Sequence, residues 1–133
     1  MRILIVEDDF ISRSLIAKFL APYGKCDMAV NGREALLAFD MAREEGNPYT
    51  LMALDIMLPE IDGHEVLRQI REKEAALKVP LDDCIKVVMT TCLGDSKNMI
   101  KSFNSLCEAY LIKPISKDKL IEVIKKLGLD ANT

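Results

Sequence analysis

The chain of 133 residues is about one domain long, half of its residues are hydrophobic, and its formal net charge is −3. This composition argues against intrinsic disorder and against a general attraction to nucleic acid or an anionic membrane. No apolar run has the length of a membrane span, and the N-terminus lacks the pattern of a signal peptide, so we expect a cytoplasmic protein. Four cysteines without a C-x-x-C pair, and a single histidine, argue against a zinc site and predict free thiols.

Short apolar segments alternate along the chain with segments of helical periodicity. We predict strands over residues 2–6, 25–30, 51–55, 85–90 and 109–112. A helix is predicted after each strand, and the expected N-caps are Asp9, Asn31, Asp62, Asp95 or Ser96, and Ser116. Gly128 is a natural stop for the last helix.

The repeated strand–helix alternation predicts an α/β fold, a doubly wound five-stranded parallel sheet with five helices. We expect one domain over residues 1–128 and a frayed C-terminal tail over 129–133. Two long connections, 44–49 and 75–84, are expected to be tolerated surface insertions, with a partner-specific surface as the alternative. The buried stripe of the first helix is predicted to be Ile11, Leu15, Ile16, Phe19 and Leu20.

Polar residues stand where four of the predicted strands end. They are Glu7, Asp8 and Asp9 after the first strand, Asp55 after the third, Thr90 and Thr91 after the fourth, and Lys113 after the fifth. Parallel strands place these ends at one edge of the sheet, where ligands bind in such folds. Crowded carboxylates attract a cation, and oxygen ligands without His or Cys favour Mg²⁺. A carboxylate beside a metal and a lysine can attack phosphorus.

Each of these residues alone has an ordinary structural explanation. An acid after a strand commonly caps a helix, a lysine before proline is commonly solvated, and a threonine at a strand end is commonly a strand former. Their joint arrival at one sheet edge favours a phosphoryl-transfer site.

Four motifs carry a resemblance to a known family over essentially the whole chain. They are VEDD after the first strand, D-x-M-L-P-x-x-D-G from Asp55, a strand ending in Thr, and Y-L-I-K-P near the C-terminus. The chain resembles the receiver domains of response regulators, the CheY-like family. The resemblance implies a flavodoxin-like sheet of order 2-1-3-4-5 and a Mg²⁺ cofactor. It also implies phosphorylation of Asp55 by a sensor histidine kinase or a phosphotransfer protein.

The resemblance also implies a set of metal ligands. Arg13 lies five residues after Asp8, a spacing common in the family, so Asp8 is expected to bind the metal directly. Glu7 is then expected to bind through water, and Asp9 to cap the helix. The third protein ligand is expected to be the backbone carbonyl of Met57.

By the same resemblance, Lys113 contacts the phosphoryl group and Thr91 supplies the switch hydroxyl, while Thr90 belongs to the strand. Tyr110 matches the aromatic switch position, and the Lys113–Pro114 bond is expected to be cis. Met57 and Cys92 occupy positions that influence phosphoryl lifetime, and we expect slow self-dephosphorylation.

His64, the only histidine, is expected to lie exposed at a helix start without a phosphohistidine role.

Several functional alternatives remain at this point. No DNA-binding helix-turn-helix follows the last helix, so we expect a stand-alone regulator, an excised receiver, or a phosphorelay intermediate, monomeric or weakly dimeric, with an unknown protein target. An Asp-nucleophile phosphatase would carry a second Asp at position 57, where Met57 stands. A degenerate, phosphorylation-independent receiver would have lost site residues that this chain retains. We therefore expect no enzymatic activity beyond self-phosphorylation and slow self-dephosphorylation.

Overall fold

Strands and helices alternate along the chain as the sequence predicts. The computed structural model describes residues 1–92 and 106–130. Its strands are β1 (Arg2–Val6), β2 (Lys25–Ala29), β3 (Leu51–Asp55), β4 (Lys86–Cys92) and β5 (Ala109–Lys113). The α-helices within these residues are α1 (Phe10–Leu20), α2 (Gly32–Glu44), α3 (Gly63–Ala76) and α4 (Lys117–Lys126), with 3-10 turns at Ala21–Tyr23 and Leu81–Asp83. The helix predicted after Asp95 or Ser96 lies outside the described residues.

The five strands form one sheet in the order β2-β1-β3-β4-β5, and every neighbouring pair is parallel. This confirms the predicted doubly wound α/β fold and its strand order. β3 is the central strand, and all five of its residues are buried, as its apolar sequence requires. Because the strands are parallel, their carboxyl ends meet at one edge of the sheet.

Each face of the sheet carries its own hydrophobic core, because successive strand residues point to opposite faces. The first core joins Leu4, Met52, Leu54, Val87 and Met89 to residues of α2 and α3. The second joins Ile3, Ile5, Leu51, Ala53 and Val88 to residues of α1 and α4. Leu129 packs against the second core, and its N–H donates to the Ile124 carbonyl at 3.1 Å, so the packed chain continues past residue 128.

The buried stripe of α1 is narrower than predicted. Ile16 and Leu20 are buried, but Leu15 is 37% exposed and Ile11 is 75% exposed, so their expected burial was wrong. Ile11 precedes Ile16 by five residues, which corresponds to a rotation of about 140° around the helix axis. Ile11 therefore lies on the solvent side.

The predicted helix caps are present at all four described helices. The side chains of Asp9, Asn31, Asp62 and Ser116 each accept a hydrogen bond from the backbone N–H three residues later, at 2.8, 2.9, 3.0 and 3.4 Å respectively. These bonds satisfy amides that have no partner within the helix. None of the helices among the described residues is long and apolar enough to cross a membrane.

A charged network joins α3 to the amino ends of β4 and β5. Arg71 donates to the Glu74 carboxylate at 2.6 Å, to the Leu106 carbonyl at 2.8 Å and to Glu108 at 3.0 Å. The other Glu74 oxygen accepts the Ile85 N–H at 2.8 Å. Glu74 is only 3% exposed, so these bonds are its compensation for losing water.

We expect Glu74→Ala to lower the free energy of unfolding by about 2–4 kcal/mol, because it leaves the buried Ile85 N–H without an acceptor and removes one of the two carboxylates that pair with the half-buried Arg71. Urea denaturation measures this change. The matched control is Glu72→Ala, which removes an exposed helix ion pair and should cost less than about 0.5 kcal/mol. Equal losses in the two variants would contradict a stabilising role for this network.

Candidate functional site

Three carboxylates converge at the carboxyl edge of the sheet, and we call them the acidic cluster. Glu7 and Asp8 follow β1, and Asp55 ends the adjacent strand β3. Ligand oxygens from the three side chains lie within 4.8 Å of one another. Glu7 is 1% exposed and Asp55 3% exposed, whereas Asp8 is exposed to solvent. The cluster is therefore an anionic site with buried walls and an open side.

Lys113, the last residue of β5, provides the positive charge against the acidic cluster. Its Nζ lies 2.5 Å from Glu7 Oε1 and 3.2 Å from Asp55 Oδ2. Burial disfavours the ammonium, but the hydrogen bond to Glu7 and the Asp55 charge outweigh it and raise the pKa of Lys113. Burial also raises the pKa of Glu7, and the lysine opposes that shift. The Lys113–Pro114 peptide bond is cis, as expected.

Backbone contacts fix the position of the Asp55 carboxylate. The Met57 N–H donates to Asp55 Oδ1 at 3.1 Å, while the Met57 side chain is 57% exposed. The Gly63 N–H donates to the Ile56 carbonyl at 2.8 Å, and a Cβ at Gly63 would lie 2.3 Å from the Asp55 carbonyl oxygen. Only glycine allows α3 to begin this close to the end of β3.

The three consecutive acids after β1 have different surroundings. Asp9 caps α1 and its N–H donates to Glu7 Oε2 at 3.1 Å. The Ser12 N–H lowers the pKa of Asp9 by stabilising its charged form. Arg13 donates to the Glu7 carbonyl at 2.9 Å. Glu7 and Asp8 belong to the acidic cluster and Asp9 to the helix, which is the division expected from the spacing to Arg13.

The two threonines of β4 differ in their place along the sheet edge. Thr90 lies opposite Asp55 in the strand register, and Thr91 is one residue closer to the edge. Thr91 is 1% exposed, and its hydroxyl donates to the Cys92 carbonyl at 3.4 Å. Cys92 is exposed and lies opposite Lys113 on β5.

Tyr110 lies on β5 outside the acidic cluster. It is opposite Met89, and because Met89 and Thr91 are two residues apart, Thr91 and Tyr110 share one face of the sheet. The half-buried ring packs against the first core. Burial and a contact with the Cys107 thiol raise the pKa of the Tyr110 hydroxyl.

His64 is 4% exposed, so the expectation of an exposed histidine was wrong. Gly63 holds the start of α3 against β3, and a helical spacing of three places His64 on the same side as the buried Leu67. Burial lowers the pKa of His64, and the nearby Asp62 charge opposes this shift.

The chemistry of the acidic cluster fits Mg²⁺. Its three side chains offer hard carboxylate oxygens, and their negative charge exceeds the single positive charge of Lys113. Mg²⁺ binds few protein ligands and keeps several waters, which suits a site with one exposed member, Asp8. Glu7, Asp8 and Asp55 are the side chains that would hold the ion.

The comparisons with known proteins identify the family. The family model described as the response regulator receiver domain matches residues 3–125. The chain therefore belongs to the response regulator receiver family of two-component signalling. Members of this family typically bind Mg²⁺ at an acidic pocket and interact with histidine kinases or phosphotransfer proteins.

Relatives of the chain include much longer proteins. It is 33% identical over 127 residues to the transcriptional regulatory protein ResD of Bacillus subtilis, covering 95% of this chain and 47% of ResD. It is 30% identical over 132 residues to the hybrid signal transduction histidine kinase L of Dictyostelium discoideum, covering 98% and 7% respectively. The chain spans between 7% and 55% of these and the other foremost curated relatives.

Solved structures have the same fold. A mutant receiver domain of the histidine kinase CKI1 from Arabidopsis thaliana is 25% identical, with a TM-score of 0.79 and coverage of 96% of this chain and 89% of that one. The bacteriophytochrome response regulator RtBRR is 31% identical, with a TM-score of 0.74 and coverage of 96% and 77%.

We expect Lys113→Met to strengthen Mg²⁺ binding about tenfold or more, because it removes the ammonium that competes with the cation for Glu7 and Asp55. Isothermal titration calorimetry measures the affinity. Lys125→Met, which removes an exposed charge near the end of α4, is the control and should leave it unchanged. Unchanged or weaker binding in Lys113→Met would contradict this account of the ion pairs.

Proposed function

We propose that this chain is a phosphoacceptor that receives a phosphoryl group on Asp55 and thereby switches a protein-docking surface. The donor is a phosphohistidine of a sensor histidine kinase or of a phosphotransfer protein. The observation that carries the proposal is the position of Asp55. Its carboxylate lies at the end of the central strand, within the acidic cluster and 3.2 Å from the Lys113 ammonium.

The proposed reaction is an in-line displacement at phosphorus. An Asp55 carboxylate oxygen forms the new bond to phosphorus, the P–N bond of phosphohistidine breaks, and the imidazole leaves with the electron pair and takes up a proton. Glu7, Asp8 and Asp55 would hold Mg²⁺, which would supply positive charge against the phosphoryl oxygens. Lys113 supplies a second positive charge, and the Met57 N–H holds the attacking carboxylate in place.

Phosphorylation would exchange the present contacts of Asp55 for contacts to the phosphoryl oxygens. Lys113 and the Thr91 hydroxyl are proposed to bind these oxygens. Thr91 shares a sheet face with Tyr110, so its movement would open space into which the half-buried tyrosine ring can turn. The phosphoryl group would in this way bias a two-state equilibrium that a partner protein reads.

Met57 favours a timed switch over a phosphatase. A hydrolase of this kind needs a general acid near the nucleophile, and the thioether of Met57 has no proton to give. We therefore propose no turnover of external phosphoesters. We further propose that the protein is cytoplasmic and either monomeric or weakly dimeric. The hybrid kinase among its relatives supports including phosphotransfer proteins among the proposed phosphoryl donors.

The test is incubation with acetyl phosphate and Mg²⁺, followed by intact mass spectrometry. We expect one added phosphoryl group in the wild type and none in Asp55→Asn. Asp9→Asn is the matched control, because Asp9 caps α1 and lies outside the acidic cluster, so this variant should still be phosphorylated. No addition to the wild type at any Mg²⁺ concentration, or addition to Asp55→Asn, would refute the proposal.

The phosphorylated form should persist for minutes or longer, because the Met57 side chain cannot hold an attacking water near Asp55. Met57→Asn supplies an amide at this position and should shorten the lifetime severalfold. Met41→Asn changes a methionine of similar exposure on α2 and should leave the lifetime unchanged. Decay followed by intact mass tests this, and a wild-type lifetime of seconds would contradict it.

A further inference from the structure

A second concave site lies at the opposite edge of the sheet, and we call it the amino-edge cleft. It has a volume of about 660 Å³ and lies between the ends of α2 and α3. Thr50, just before β3, and Lys86, the first residue of β4, both line it. Asp55 lies five residues after Thr50 along β3, a distance of about 16 Å. The cleft is therefore separate from the acidic cluster.

The two long connections noted in the sequence build this cleft. Pro48 and Tyr49 come from the connection after α2, and residues 77–80 and 82–84 from the connection after α3. Within the second connection, Lys78 has a φ of 55°, which lies in the left-handed region that favours glycine. At the matching position after α4 the chain has Gly128, with a φ of 71°.

Two cations that line the cleft lack the carboxylate or carbonyl partners that the other half-buried cations of the described residues have. The side chains of Arg43 and Lys86 are half-buried, and within residues 1–92 and 106–130 neither forms an ion pair or a hydrogen bond. The Arg43 guanidinium lies over the ring of Phe39, 5.6 Å from its centroid, a contact that supplies no negative charge. The Nε of Arg43 is buried and donates no hydrogen bond. Every other half-buried cation in the described chain is partnered: Arg2, Arg71, Lys73 and Lys113 by carboxylates, and Arg13 by backbone carbonyls.

The rest of the lining is apolar at depth and acidic only at the rim. Tyr49 is buried, Val79 and Leu129 are half-buried, and all three line the cleft. The acids of the lining, Asp82 and Asp83, are exposed to solvent. The interior thus combines apolar surface with two cations that have lost water without gaining a carboxylate, and that combination is complementary to an anion with an apolar body.

We propose that the amino-edge cleft binds a small organic anion, a carboxylate on an apolar body, with the anionic group between Arg43 and Lys86. The volume is in the range of small-molecule sites. The cleft lies at the ends of β3 and β4 and not along an edge strand, so it offers no backbone for pairing with an extended peptide. Binding here involves neither Asp55 nor a phosphoryl group.

The test uses octanoate as the probe and two-dimensional amide NMR of the full chain as the readout. We expect saturable shifts at Tyr49, Val79 and Lys86. Octanol, which has the same chain without the charge, should bind at least about tenfold more weakly. The double variant Arg43→Gln/Lys86→Gln should weaken octanoate binding by at least about tenfold, with its amide spectrum verifying the fold.

Two variants serve as controls in the same titration. Arg33→Gln removes an exposed cation from α2, and Asp55→Asn removes the proposed phosphoacceptor; both should bind octanoate like the wild type. The proposal would be overturned by the absence of saturable shifts at the cleft, by equal binding of octanol, or by unchanged binding in a folded double variant.

Discussion

The structure of the functional edge depends on the repulsion among carboxylates that the fold gathers in a small volume. Glu7 and Asp55 are nearly inaccessible to water, and Asp8 lies beside them. Lys113 offsets part of this repulsion through contacts to Glu7 and Asp55, but one ammonium does not balance three carboxylates. The site therefore retains an affinity for further positive charge, and this excess explains why a divalent cation fits it.

The topology is what keeps these groups together. β1 and β3 are neighbours in a parallel sheet, so acids distant in sequence end at the same edge. Lys113 reaches the acidic cluster from β5, which lies beyond β4. Thr91 is the last buried residue of β4, the strand between β3 and β5. The alternation of side chains between the two sheet faces separates the two cores and also places Thr91 and Tyr110 on one face. In the proposed switch, a movement of Thr91 at the sheet edge would therefore act on a ring that packs against the first core.

The fold and the assembly of the acidic cluster could be predicted from the sequence, because both follow from local sequence signals. An apolar run ending at Asp55 and a cap at Asp9 are readable from a few residues each. The misjudged burial of Ile11 and His64 has another cause. Their exposure depends on how a helix is rotated against the sheet, and for His64 on the close approach of Gly63 to β3, which no local pattern encodes. The buried role of Glu74 and the amino-edge cleft likewise arise from contacts between distant segments.

The most direct test of the central claim is to locate the phosphoryl group chemically. Borohydride reduction converts an aspartyl phosphate to homoserine, and peptide mapping by mass spectrometry then identifies the modified position. After treatment with a phosphohistidine donor and Mg²⁺, this account predicts homoserine at position 55 and at no other aspartate. Homoserine at Asp8 or Asp9, or its absence from a chain that had gained a phosphoryl group, would contradict the assignment of Asp55 as the phosphoacceptor.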